Sequence, residues 1–117
     1  MKRMHELTIV QNFVDTTEKF AADHGVGKVE RVTLVVGALT GVIPKYVRMY
    51  YDEVCEDTRL EGSELVIDYL EPEAFCRGCG HIYNPQETDD CCPECHDPDK
   101  EILQGRELFV RDIAYNE

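Results

Sequence analysis

What this chain lacks narrows it first. No stretch of its 117 residues approaches the roughly 18 consecutive apolar residues that a membrane-spanning helix requires. The opening segment MKRMHELTIV has a basic pair but only a short apolar run before Gln11 and Asn12, which is not a signal peptide. A cytoplasmic location is therefore expected, and there paired cysteines are metal ligands or redox groups more often than disulfides. Positive charge is scarce: 12 Lys and Arg stand against 24 Asp and Glu, a formal charge of −12. Such a surface repels nucleic acid and anionic membrane, and attracts cations or basic protein surfaces. No internal repeat appears beyond two cysteine turns, and no low-complexity linker divides the chain. Its length allows one domain, or one domain with a small appendage, around a single modest core.

Against that background, six cysteines stand out, four of them paired as Cys76-Arg-Gly-Cys79 and Cys92-Pro-Glu-Cys95 with twelve residues between the pairs. A Cys-x-x-Cys turn sets two thiolates on one side of a tight loop, and a second turn completes a tetrahedron. Zn(II) accepts four thiolates in that geometry at about 2.3 Å each. Four thiolates leave no open position for catalysis, so the expected role is structural: the metal replaces a core that the module is too short to build. A redox dithiol needs one pair, usually at a helix N-terminus, whereas two pairs in a Gly/Pro/Asp-rich context favour the metal. Cys91 adjoins Cys92, but only Cys92 has the two-residue spacing to Cys95, so Cys91 reads as a spare thiol. His81 and His96 lie just outside the turns and are the alternative zinc ligands, should the site exchange sulfur for imidazole. A zinc hydrolase is excluded, because no His/Glu cluster leaves a metal position open. The alternative function is a zinc-ribbon module for protein interaction or nucleic-acid binding. That reading needs a basic groove or exposed aromatics near the ribbon, and residues 71–100 instead carry eight acids against Arg77 and Lys100.

Hydrophobic periodicity predicts a helix over 6–24, with Leu7, Val10, Phe13, Val14, Phe20 and Ala21 largely on one face and Gly25 and Gly27 ending it. A strand is expected over 28–36, a loop over 37–43, and a second helix from Pro44 to about Thr58, with Cys55 on its apolar face. Leu65, Ile67 and Tyr69 alternate as a second strand. Residues 107–115 alternate as a last one, with Leu108 and Val110 opposing Phe109, Arg111 and Ile113. The expected fold is α+β: a small mixed sheet of about three strands with two helices, plus an inserted zinc-ribbon-like module of four cysteines. The domain division is 1–72 with 101–117, and 73–100 for the zinc module.

Met4-His5-Glu6-Leu7, the loop Val36-Gly37-Ala38-Leu39-Thr40-Gly41-Val42, and the two cysteine turns closed by Cys95-His96 form a combination along the chain. Together they resemble the HypA/HybF family of hydrogenase nickel-incorporation proteins, over essentially the whole length. The resemblance implies a cytoplasmic metallochaperone, not an enzyme. It implies Ni(II) as transferred cargo, with His5 the principal ligand and Met4 and Glu6 contributing backbone nitrogen. It implies structural Zn(II) on Cys76, Cys79, Cys92 and Cys95. The partners implied are the GTPase HypB, the large subunit of NiFe hydrogenase and, for some members, urease maturation proteins; nucleic acid and membrane are not among them. The chain itself is expected to be a monomer or weak homodimer.

Two departures from the family pattern matter. Met1-Lys2-Arg3 precede the Met-His-Glu segment, which replaces a terminal amine at Met4 with a peptide amide and adds positive charge. The loop after the first strand holds Ala38 and Ile43 where family members commonly carry carboxylates, which leaves Glu6 to supply one.

Overall fold

The computed structural model describes residues 2–116; the side chains of residues 2–4 are outside the description, as are Met1 and Glu117. The expectations resting on Met1 and on the charges of Lys2 and Arg3 fall outside the described residues, and Met4 is described only as helical backbone. Helix α1 spans Lys2–Asp23, four residues earlier at its start than periodicity predicted. Glu6, Val10, Val14, Thr17 and Ala21 recur every three or four residues and are buried. Phe20, assigned to that face from sequence, is instead 46% exposed and stacks on His24 with ring centroids 4.1 Å apart. The helix ends in a Schellman arrangement: Gly25 takes φ +69°, its N–H reaches Ala22 O at 3.4 Å, and Val26 N–H reaches Ala21 O at 2.8 Å.

Strand β1 (Lys28–Gly37) follows and is paired on both edges. Helix α2 (Pro44–Cys55) starts with Pro44 in its first turn, where the missing N–H costs nothing. It stops three residues before Thr58, because Glu56 leaves the helical region at φ −55°, ψ 136°. Val47, Tyr51 and Cys55 form its buried stripe, and the Tyr51 hydroxyl meets Ser63 Oγ at 2.6 Å inside the core. That hydroxyl and the Cys55 thiol are held protonated by burial, which pushes Cys55 up to about 11. Strand β2 (Glu64–Leu70) then runs parallel to β1, so β1–α2–β2 is a crossover unit. The two helices and the sheet enclose one apolar core, which includes Val32, Leu34 and Val36 of β1 and Ile67 of β2. Mixed sheet, two helices and a separate four-cysteine module are the fold class that the sequence predicted.

After β2 the chain leaves the sheet. Strands β3 (Glu73–Cys76), β4 (Ile82–Tyr83) and β5 (Lys100–Gln104) make a second sheet in the order β4-β3-β5. This second sheet had no counterpart in the sequence reading, because its strands are too short to show alternation. Strand β6 (Leu108–Asn116) returns antiparallel to β1 and completes the order β2-β1-β6. The Cα radius of gyration is 17.6 Å, against about 13 Å for a compact domain of this length, so the cysteine module extends the molecule.

Strict alternation along β6 is not what the structure shows. The register passes from Leu34↔Val110 to Thr33↔Asp112, so Arg111 is the extra residue of a bulge. Ile113 therefore joins Leu108 and Val110 on the helix-covered face, and Val110 and Ile113 pack against the core. Arg111 turns to the other face and pairs with Asp68 of β2 at 2.7 Å.

The two bodies meet through glycines. Gly37 N–H donates to Glu107 O and Leu39 N–H to Gly105 O, both at 2.7 Å. A Cβ on Gly37 would lie 2.2 Å from the Gly105 backbone, closer than any real contact. Gly105 itself adopts φ +126°, and a Cβ there would press on Leu39 at 3.0 Å and on Pro72 Cα at 3.1 Å. Gly37→Ala is expected to lower stability by about 1–3 kcal/mol through this overpacking. Chemical denaturation reads it, and an unchanged midpoint would show that the junction is loose.

Candidate metal centres

The two cysteine turns are built alike. In the first, Cys76 N–H donates to His81 O at 2.9 Å and Gly80 N–H returns to Cys76 O at 2.8 Å. In the second, Cys92 N–H donates to Asp97 O at 3.1 Å and His96 N–H returns to Cys92 O at 2.9 Å. The residue after each pair is left-handed: Gly80 at φ +81° and His96 at φ +63°. Glycine takes that region freely, whereas His96 occupies it as a non-glycine residue. His96 is thus explained by turn geometry without any role for its imidazole.

The turns bring Cys76, Cys79, Cys92 and Cys95 together, their sulfurs all within 4.8 Å of one another. Cys76 Sγ lies 3.5 Å from Cys95 Sγ, and Cys79 Sγ lies 3.6 Å from Cys92 Sγ. The edge of a zinc tetrathiolate tetrahedron with bonds of about 2.3 Å is about 3.8 Å, so the four sulfurs fit a tetrahedral thiophilic ion such as zinc. Peptide N–H groups face the sulfurs, Glu94 N–H approaching Cys92 Sγ at 3.4 Å. Burial opposes ionisation of Cys76, but the N–H of Cys79, the Cys95 thiol and the N–H of Gly78 outweigh it and bring the thiol down to about 7. For Cys95 the N–H of Asp97 favours the thiolate, yet hydrogen bonding to Cys76 and burial prevail and push it up to about 12. The four thiols share hydrogen bonds and so titrate as one group, and a bound cation would draw their protons off.

Cys91 does not belong to this group. It is half-buried beside it, its N–H bonded to Thr88 O at 3.1 Å. His81 and His96 are also outside the four-sulfur cluster. The module's own core is Ala74, Cys76, Tyr83 and Cys92 with Ile102 against it, so two of that core's four residues are candidate ligands.

At the Met-His-Glu segment singled out from sequence, α1 presents His5 to solvent and turns Glu6 fully inward. Glu6 Oε2 accepts the N–H of Ile43, the residue that caps α2, at 3.0 Å. The carboxylate thus sits at the positive end of α2 and ties the start of α1 to the 37–43 loop. Its other oxygen, Oε1, is buried without a partner among the described residues. Sequence reasoning missed this cap: Glu6 and Ile43 are 37 positions apart, and only the tertiary fold joins them. Backbone nitrogens are less available here than in an extended peptide. Met4 lies in the first turn, where the N–H has no intrahelical acceptor, but Glu6 lies within the helical ladder.

Four sulfurs at tetrahedral spacing on a small α+β scaffold define a protein with a candidate metal site, one that would leave no open coordination position once filled. Residues 4–115 match the family model described as HypA, hydrogenase/urease nickel incorporation, metallochaperone. The chain belongs to this HypA family, whose members are metallochaperones and maturation factors, not enzymes. It is 36% identical over 110 residues to hydrogenase maturation factor HybF of Salmonella typhimurium, covering 94% of this chain and 97% of that one. Over 114 residues it is 36% identical to hydrogenase maturation factor HypA of Crocosphaera subtropica, with 97% of both chains covered. The solution structure of the Ni metallochaperone HypA from Helicobacter pylori shares the fold, with a TM-score of 0.64 at 22% identity, covering 94% of this chain and 96% of that one. Among the described residues, no helix is long and apolar enough to cross a membrane.

Removal of the metal with a strong chelator is expected to abolish amide protection of β3, β4 and β5 while β1 and β2 stay protected, because the module lacks a core without its ligands. Hydrogen exchange measures this. Separately, His96→Gly and His81→Ala are expected to leave zinc content unchanged, whereas Cys76→Ala loses the metal; zinc loss in either histidine variant would place that imidazole in the site.

Proposed function

We propose that this chain holds Ni(II) at Met4-His5-Glu6 and passes it to the large subunit of NiFe hydrogenase, or to urease maturation proteins, working with the GTPase HypB in the cytoplasm. The observation that carries this reading is the place of His5: the second residue of the family-matched stretch, with its side chain exposed on α1. Ni(II) takes nitrogen ligands in a square plane, and imidazole with backbone nitrogens supplies them. An exposed chain-end site lets a recipient replace the ligands one at a time, which is what transfer requires. Zn(II) on Cys76, Cys79, Cys92 and Cys95 holds the module in shape and takes no part in the transfer. Glu6 contributes through its backbone nitrogen, since its carboxylate already holds Ile43. Using that nitrogen requires the first turn of α1 to unwind, because a helical N–H is engaged with a carbonyl.

His5→Ala is expected to abolish specific Ni(II) binding while zinc content and fold persist; calorimetric titration and metal analysis read the two sites separately. Full nickel affinity in His5→Ala would place the site elsewhere. A chain beginning at Met4 is expected to bind Ni(II) more tightly than one that retains Met1-Lys2-Arg3. An α-amine with pKa near 7.7–8.0 gives up its proton to nickel far more readily than a peptide amide does. Equal affinities in a non-chelating buffer would remove the terminal amine from the ligand set.

A further inference from the structure

Strand β6 is an edge. It pairs with β1 on one side, and among the described residues no strand lies on the other. Edges of this length are ordinarily blunted or covered, since their free N–H and C=O groups invite another strand. Here the edge is long, nine residues without proline, and leaves Leu108 39%, Phe109 49% and Tyr115 47% exposed. Beside it two hollows of about 390 and 310 Å³ run between α1 and β6, sharing Thr16, Thr17 and Val110 in their walls.

The order of faces along β6 is what selects an occupant. Leu108, Val110, Ile113 and Tyr115 pair with Val36, Leu34, Val32 and Val29, all core residues, and so lie on the helix-covered face. Phe109, Asp112 and Ala114 pair with Val35, Thr33 and Arg31 on the other face, and the bulged Arg111 joins them through Asp68. Because of the bulge this pattern reads the same from either end, about a point between Arg111 and Asp112. An antiparallel partner with the same strand, related by a two-fold axis at that point, sets Leu108 opposite Tyr115 and Val110 opposite Ile113 on the helix side. On the other side it sets Phe109 opposite Ala114 and, twice over, Arg111 opposite Asp112. Each residue then meets one on the same face, with apolar against apolar and base against acid. The strand carries one base and one acid in a chain of net charge −12, so the edge is locally neutral where most of the molecule repels its like.

We infer that β6 is a self-pairing edge: two copies join through it into a continuous six-stranded sheet, β2-β1-β6-β6-β1-β2, with the two α1 grooves closed over the seam. The axis falls between Arg111 and Asp112. This reading is independent of where nickel binds.

The test is sedimentation velocity of the zinc-loaded full chain from about 1 µM to about 1 mM at 0.15 M salt, with amide exchange of β6 followed in parallel. The mass is expected to rise from one chain toward two, and β6 amides to slow with concentration. Arg111→Asp sets like charges opposite each other at the axis and is expected to weaken association at least about tenfold. The double exchange Arg111→Asp/Asp112→Arg restores opposite charges across the seam and is expected to recover it. Asp68 has lost its arginine in both variants, but the exchange also restores the pair of residues 111 and 112 within each chain, 3.5 Å apart, so recovery reports the contact between copies when the two variants have equal denaturation midpoints as monomers. Tyr115→Glu, at an exposed position, puts a carboxylate against Leu108 and is expected to weaken association without depending on either charge. A chain that stays monomeric throughout, association undiminished in folded Arg111→Asp and Tyr115→Glu, or β6 protection that appears only when a different protein is added, each overturns the inference.

Discussion

The structure depends on the double pairing of β1. Its ten residues hold β2 in parallel on one edge and β6 in antiparallel on the other. A central strand loses water from both faces, which is why Thr33 and Val35, opposite the helices, are nearly as buried as Val32 and Leu34. Its last residue, Gly37, is where the cysteine module docks, and the loop that follows runs to Ile43, where Glu6 reaches across from α1. One strand thereby sets the position of the exposed histidine segment, the helix that crosses between β1 and β2, and the cysteine module.

The two bodies are stabilised in different ways. The α+β layer buries a continuous set of valines and leucines under two helices, the ordinary hydrophobic solution. The cysteine module buries only Ala74, Cys76, Tyr83, Pro85 and Cys92 and half-buries Ile102, too little apolar surface to offset the entropy of ordering its loops. Four thiolates at tetrahedral separation make up the difference once a metal binds. The proposed division of labour follows this contrast: four thiolates around one ion leave no open position, whereas His5 lies exposed on α1.

Much of this was legible in the sequence because the relevant signals are local. The cysteine spacing specified the four sulfurs, and the step from Cys92 to Cys95 distinguished Cys92 from Cys91 before any geometry was known. Helix periodicity, Gly25 and Pro44 marked both helices closely, and they did so because capping and φ restrictions act within a few residues. The errors occurred where a neighbour distant in sequence decided the outcome. Phe20 has apolar spacing but is left 46% exposed, stacked on His24. Ile113 changed faces because a bulge against Thr33 and Leu34 inserted Arg111, and alternation along one strand carries no information about the register of another.

By itself, then, the sequence determined the family, the four cysteines that come together, the presence of two helices and the acidic character of the chain, all properties written in adjacent residues or in composition. Tertiary structure alone decided that Glu6 turns its carboxylate inward to cap α2, that Gly37 and Gly105 must both be glycine for the two bodies to touch, and that β6 lies at an edge with a symmetric pattern of faces. Each of these depends on groups brought within a few ångströms from more than thirty positions apart, and such contacts exist only once the backbone has closed around β1.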